Sequence, residues 1–380
     1  NAVDTVFTRS ANRAWIAVAL DEARSSRRIV RPRVAGEDLQ GEEHPGFDPS
    51  RPNEEAYREV RASAERIEHA LEIAVRARAS WASVSASERA AILGRVADLL
   101  EARRGRLIGA MVLDAGKRVV EADVEVSEAV DFARFYAISF LSWHAEYSST
   151  PLGTIVVAPP WNFPLAIPLG GCLAALVAGN TVLLKPAPET PLVGRELAEV
   201  LWDAGVPSDA FGFVPCSDDV ASPLLVDARV SAVVLTGATE TARLFLGMRP
   251  GLRLFAETGG KNGAYVSAVS DREQAISAIV QSAFGHAGQK CSALSVLVLE
   301  REVYRDDGFR AELADAAESL FVGSAWKLES FVTPLIRPPT GELARVLATR
   351  ERGESWLVEP RVSATNERLV SPGILLGARR

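Results

Sequence analysis

The chain has 380 residues, 48% hydrophobic and 24% charged, enough to bury two or three cores and typical of a globular protein. A net charge of −7 excludes a nucleic-acid binder with a broad basic face. Three cysteines and four scattered histidines exclude a disulfide framework and offer no metal-ligand spacing, so a reducing, cytoplasmic setting is expected.

The first residues, "NAVDTVFTRS", lack the basic start and apolar run of a signal peptide. Over 1–55, a basic "SSRRIVRPRV" precedes an acidic, turn-rich "GEDLQGEEHPGFDPSRPNEE", a pattern that predicts a surface arm or linker. From about Glu54 to Phe140 the pattern is helical. Ser85 and Glu88 fit a capping box ahead of Ile92, Leu93, Val96, Leu99 and Leu100 on one helical face. "EADVEVSEAVDFARFYAISFL" continues that periodicity.

From Leu152, short β-branched runs alternate with helical stretches: "GTIVVA", "NTVLLK", "FGFVP", "SAVVLTG" and "LRLFAE". Strand–helix alternation predicts an α/β fold with a Rossmann-type parallel sheet, whose ligands sit outside the carboxyl ends of the strands. The strand ends are Pro159-Pro160-Trp161-Asn162, Lys185-Pro186-Ala187-Pro188-Glu189, Pro215-Cys216-Ser217-Asp218 and Thr236-Gly237-Ala238-Thr239. The apolar stretch 165–178 contains Pro168 and two glycines, and it is shorter than the ~20 residues of a membrane span. A second α/β unit is expected from Glu257, with the strand "NGAYVSAV", a helix over 272–284, a cysteine turn and the strand "ALSVLVLE". The expected organisation is an arm over 1–55, a helical segment plus cofactor domain over 56–256, and a catalytic domain over 257–380.

Cys291 follows Gly288-Gln289-Lys290 in a polar turn, whereas Cys172 lies in the apolar "PLGGCLAALV". A free cysteine is ordinarily a small buried hydrophobe, so one in a glycine-bearing turn is a candidate nucleophile. Cys216 sits in a polar loop without such neighbours.

Three segments, "PPWNFPLAIP", "LFAETGGKNGAYV" and "GHAGQKCSA", occur in an order and spacing that resemble the aldehyde dehydrogenase superfamily. The variants "ETGGKN", "GHAGQKCSA", "VVLTGATETA" and "EADVEVSEAVDFARFYA" look most like its Δ1-pyrroline-5-carboxylate dehydrogenase branch, as in bifunctional proline-utilisation enzymes. The resemblance implies that Cys291 attacks an aldehyde carbon, giving a thiohemiacetal and then a thioester. It implies that Glu257 is the general base for thioester hydrolysis, and that Asn162, with the backbone N–H of Cys291, forms the oxyanion hole. Pro160, Trp161, Lys185, Gly237, Ala238 and Glu240 match cofactor-binding positions, which implies NAD. Phe163 and Ser292 match substrate-binding positions, and the implied substrate is L-glutamate γ-semialdehyde. No G-x-G-x-x-G fingerprint is present, and the family does not rely on one.

Two departures stand out. Many relatives carry an acid three residues after the lysine, reading the ribose 2′-hydroxyl of NAD. Pro188 stands there in this chain, with Glu189 one step late, which leaves NADP open. The chain also ends where the family would continue into a Glu-x-Phe-Gly-Pro segment and a carboxylate-binding loop, so a truncated catalytic domain is expected. A fused proline dehydrogenase domain and a homo-oligomer are the implied partners, with no nucleic acid and no membrane span. The competing readings are action on another semialdehyde, or a catalytically incompetent fragment that binds only a nucleotide.

Overall fold

The computed structural model describes residues 1–377 and divides the chain into two units. One comprises 1–47, 54–115 and 120–258; the other comprises 48–53, 116–119 and the residues from 259 onward. The fold is mixed α/β with a parallel sheet.

In the first unit the β-branched runs pair as the alternation requires. Thr154–Ala158, Thr181–Leu184, Phe211–Phe213, Val230–Gly237 and Leu254–Thr258 are all parallel. Across the sheet they lie in the order Leu254–Thr258, Val230–Gly237, Thr154–Ala158, Thr181–Leu184, Phe211–Phe213. The chain therefore reverses its direction of travel between the first and fourth of these strands. A doubly wound sheet binds ligands at such a switch point, because the two flanking loops diverge there and leave a crevice. The strands Thr154–Ala158, Thr181–Leu184 and Phe211–Phe213 read as continuous apolar runs because both of their faces are covered, and Val156, Leu183 and Val233 join a core with Ile67, Leu71 and Leu224.

The expected arm over 1–55 is instead largely built into this unit. Ser10–Ser25 is a helix that buries Ile16, Leu20 and Ala23. It lies so close to the helix Arg104–Ala115 that a Cβ at Gly109 would stand 2.6 Å from that of Ala23. Arg33–Val34 and Glu37–Asp38 extend the sheet antiparallel beyond Phe211–Phe213. Polar and basic composition hid this, since the buried face of the helix is only three residues wide. The helical expectation from Glu54 is also corrected, because Arg51–Val60 is a strand and the helices begin at Ala64. The Ser85 capping box is present, with the Glu88 backbone N–H donating to Ser85 Oγ and the Ser85 N–H to Glu88 Oε2.

A buried acid sits in this unit. Tyr57 donates to Asp114 Oδ1 (2.5 Å) and the Val193 N–H to Oδ2 (3.0 Å). Burial outweighs these bonds and raises the Asp114 pKa to about 7. The folded state thus holds this proton more tightly than the unfolded chain, so the stabilisation present below about pH 4 is lost as pH rises to about 7. Thermal unfolding should show a midpoint falling over that window, and Asp114→Asn should flatten the fall while lowering stability at acid pH.

The second unit pairs Asn262–Val266 with Leu294–Leu299 in parallel, under the helix Arg272–Phe284. Val266, Ile276, Ile279, Val280, Phe309 and Leu313 form its core. The segment 48–53 is bound into it: Trp326 Nε1 donates to Asp48 (2.6 Å), and Asn366 Nδ2 to the Pro49 carbonyl (2.9 Å). The expected boundary at 257 moves accordingly. Glu257 belongs to the edge strand of the first unit, and the second unit is discontinuous in sequence. No helix among the described residues is long and apolar enough to cross a membrane.

Candidate active site

The first unit gathers most of the sequence-derived site residues at the carboxyl ends of its strands. Pro160, Trp161, Asn162 and Phe163 follow the strand Thr154–Ala158 and are half-buried. Their loop is fixed from below by Glu125, whose Oε1 accepts from the backbone N–H groups of Leu165 (2.8 Å) and Ala166 (3.0 Å). A buried carboxylate at the start of the helix Ala166–Val177 satisfies donors that the helix itself cannot. Glu125 was quoted in the helical motif without a role, and only its helix-interior, fully buried position reveals one.

Lys185 follows the strand Thr181–Leu184, held by its N–H on the Val157 carbonyl (3.0 Å). Its side chain is nearly buried and its ammonium bonds the carboxylate of Asp218, at the start of the helix Asp218–Val226. Asp218 was read in the sequence only as part of a polar strand end, without a role of its own. Beside this pair lies a cleft of about 220 Å3 lined by Pro188, Ser217, Asp218, Arg61 and Glu59.

Gly237 ends the strand Val230–Gly237, Ala238 caps the helix Thr239–Met248, and Glu240 lies in its first turn. Glu257 is next to last in the edge strand, directly opposite Thr236, and is exposed. Pro160, Trp161, Asn162, Phe163, Lys185, Gly237, Ala238, Glu240 and Glu257 therefore share one edge of one sheet.

Cys291 and Ser292 belong to the second unit, where both are exposed. The helix Arg272–Phe284 ends in a turn with three successive left-handed residues: His286 (φ 50°), Ala287 (φ 53°) and Gly288 (φ 73°). Only glycine takes that conformation freely; each of the other two costs roughly 1–2 kcal/mol. Side-chain hydrogen bonds, one local and one long-range, offset the cost. Gln289 Nε2 donates to the His286 carbonyl (3.2 Å), while its Oε1 accepts from the Ile336 N–H (2.9 Å). Asn262 Nδ2 donates to the carbonyls of Cys291 (2.6 Å) and Ala293 (3.1 Å), pinning the cysteine turn to the adjacent strand. Asn262 and Gln289 lay inside quoted motifs, but nothing local marked them as tethers.

The other thiols are inert. Cys172 is fully buried, and burial pushes its pKa far up; Cys216 is also buried and pushed up to about 12. His286 is fully buried, and burial together with Lys117 and Lys290 pushes its pKa well down, so it stays neutral and cannot act as a cationic partner. No group of ligating side chains among the described residues could hold a metal ion.

A family model described as "Aldehyde dehydrogenase family" matches residues 37–379. The bifunctional protein PutA of Escherichia coli K12 is 39% identical over 306 residues, 78% of this chain and 23% of that protein. A 1-pyrroline-5-carboxylate dehydrogenase of a Geobacillus species is 34% identical over 355 residues, 87% of this chain and 68% of that enzyme. Among solved structures, 1-pyrroline-5-carboxylate dehydrogenase from Thermus with bound NAD superimposes with a TM-score of 0.91 at 28% identity, covering 99% of this chain and 77% of that one. The chain thus spans less than a quarter of the PutA relative and about two thirds of the Geobacillus enzyme.

Proposed function

The chain belongs to the aldehyde dehydrogenase family, and from that premise we propose that it oxidises L-glutamate γ-semialdehyde to L-glutamate with NAD. The observation that carries the proposal is Cys291: the one exposed thiol of three, presented on a left-handed turn tied down by Asn262 and Gln289. A structural cysteine would not need that strained presentation. The substrate follows the names of the 1-pyrroline-5-carboxylate dehydrogenase relatives.

The residues at the sheet edge fit a dinucleotide, because a nearly buried lysine delivers its ammonium to a strand end next to a switch-point crevice. Pro160, Trp161, Lys185, Gly237, Ala238 and Glu240 would hold it. NAD, when bound, supplies the acceptor for the hydrogen and electron pair leaving the aldehyde carbon.

In this mechanism the Cys291 thiolate attacks the aldehyde carbon and forms a C–S bond. The carbonyl oxygen becomes an oxyanion, held by the Asn162 amide and the Cys291 backbone N–H. Such donors matter because the charge appears only along the reaction; removing one costs ~2.7–4 kcal/mol. After oxidation the carbon is a thioester. Glu257 takes a proton from water, the water oxygen attacks, and the C–S bond breaks to release the carboxylate and the thiolate. Phe163 would flank the aldehyde and Ser292 would bond the far carboxylate of the substrate. We place the protein in the cytoplasm as a homo-oligomer, supplied with semialdehyde by a fused proline-oxidising domain; a relative named as bifunctional supports the fusion.

The test is turnover of glutamate semialdehyde, succinate semialdehyde and small aliphatic aldehydes, followed by NADH absorbance. The proposal expects the highest kcat/KM with glutamate semialdehyde. Preference for another aldehyde would reassign the substrate. No turnover with any, while NAD still raises the unfolding temperature, would leave a nucleotide-binding unit.

A further inference from the structure

Position 188 poses a problem that the sheet edge answers. A proline there has no side-chain donor or acceptor, so it cannot discriminate a ribose 2′-hydroxyl from a 2′-phosphate. Yet the cleft that Pro188 lines also contains a carboxylate, that of Asp218, entering from the loop after the neighbouring strand Phe211–Phe213. Asp218 bonds the Lys185 ammonium, and its side chain is otherwise largely open, 83% exposed. Lys185, by contrast, is held in a nearly buried position.

We infer that Asp218 supplies the carboxylate that reads the ribose 2′-hydroxyl and repels a 2′-phosphate, taking over from another loop the task that Pro188 cannot perform. The inference rests on the dinucleotide reading of this sheet edge. Asp218 is a specificity-determining residue here, not a catalytic one.

The electrostatics of the cleft support the assignment. Its charged groups are Glu59, Arg61 and Asp218, with Lys185 at the margin. Arg61 is engaged by Glu59 (Nε–Oε1 2.8 Å), and Lys185 by Asp218. Both cations are thus neutralised by acids already present, so a dianionic phosphate would meet no uncommitted positive charge from these groups. A neutral hydroxyl can instead donate to an open carboxylate oxygen. Glu59 is nearly buried under Arg61, which leaves Asp218 as the accessible acid.

Isothermal titration of NAD and NADP into the chain and its variants tests this without reference to turnover. The unmodified chain should bind NAD more tightly than NADP by at least about tenfold, as expected for a like charge set against a phosphate. Asp218→Asn should shrink that ratio by about tenfold, chiefly through tighter NADP binding. Pro188→Glu should widen it. Asp219→Asn, the next acid along the chain and one that does not line the cleft, should leave it unchanged. An Asp218→Asn ratio equal to that of the unmodified chain would overturn the inference, as would an equal shift from Asp219→Asn. Absence of NAD binding to the unmodified chain would instead overturn the dinucleotide reading itself, and the inference with it.

Discussion

Cys291→Ala should reduce aldehyde-dependent NADH formation by at least about 10³-fold, since removing a covalent nucleophile leaves only binding and oxyanion stabilisation. Because the side chain is exposed, the unfolding temperature and NAD affinity should hold within experimental scatter. A direct chemical readout accompanies the kinetic one. Iodoacetamide should alkylate the native chain once, at Cys291, because Cys172 and Cys216 are buried and their thiols are held protonated. The variant should take up no label until it unfolds. Retained turnover in Cys291→Ala, or native labelling at Cys216, would remove the nucleophile assignment.

Glu257→Gln should separate the two halves of the reaction. The thiolate can still attack and the carbon can still be oxidised, so the variant should release about one equivalent of NADH per chain and then stall. Steady-state turnover should fall by ~10²–10⁴-fold, the range that a positioned general base contributes. Intact-mass measurement during the stall should find the acyl group on Cys291. Glutamine keeps the shape of the side chain at an exposed strand end, so stability should not change. Loss of the burst along with the steady state would mean that Glu257 acts before the thioester forms, and the base assignment would then fail.

Much of the architecture is local in origin, which is why it could be read in the residues. Alternating β-branched runs and helical stretches after Leu152 dictate parallel strands, and the polar strand ends mark the ligand edge. The Ser85–Glu88 cap depends on side chains three residues from their partners. The odd placement of Cys291 beside Gly288 was likewise visible as a pattern.

What the sequence left undetermined is set by partners far along the chain. The helix Ser10–Ser25 acquires its place from the small residues of Arg104–Ala115, so its sparse apolar face looked like a surface arm. Glu125 finds the helix start at 165–166, Asp218 finds Lys185 from 33 residues away, and Asn262 finds Cys291 from 29. A single polar residue carries no sign of which distant donor or acceptor will face it. That is settled only when packing brings two backbone segments together and the loss of water makes an unmade hydrogen bond costly. The residue types and their order thus determined which chemistry the chain can present, while the folded packing decided which side chains hold those groups still.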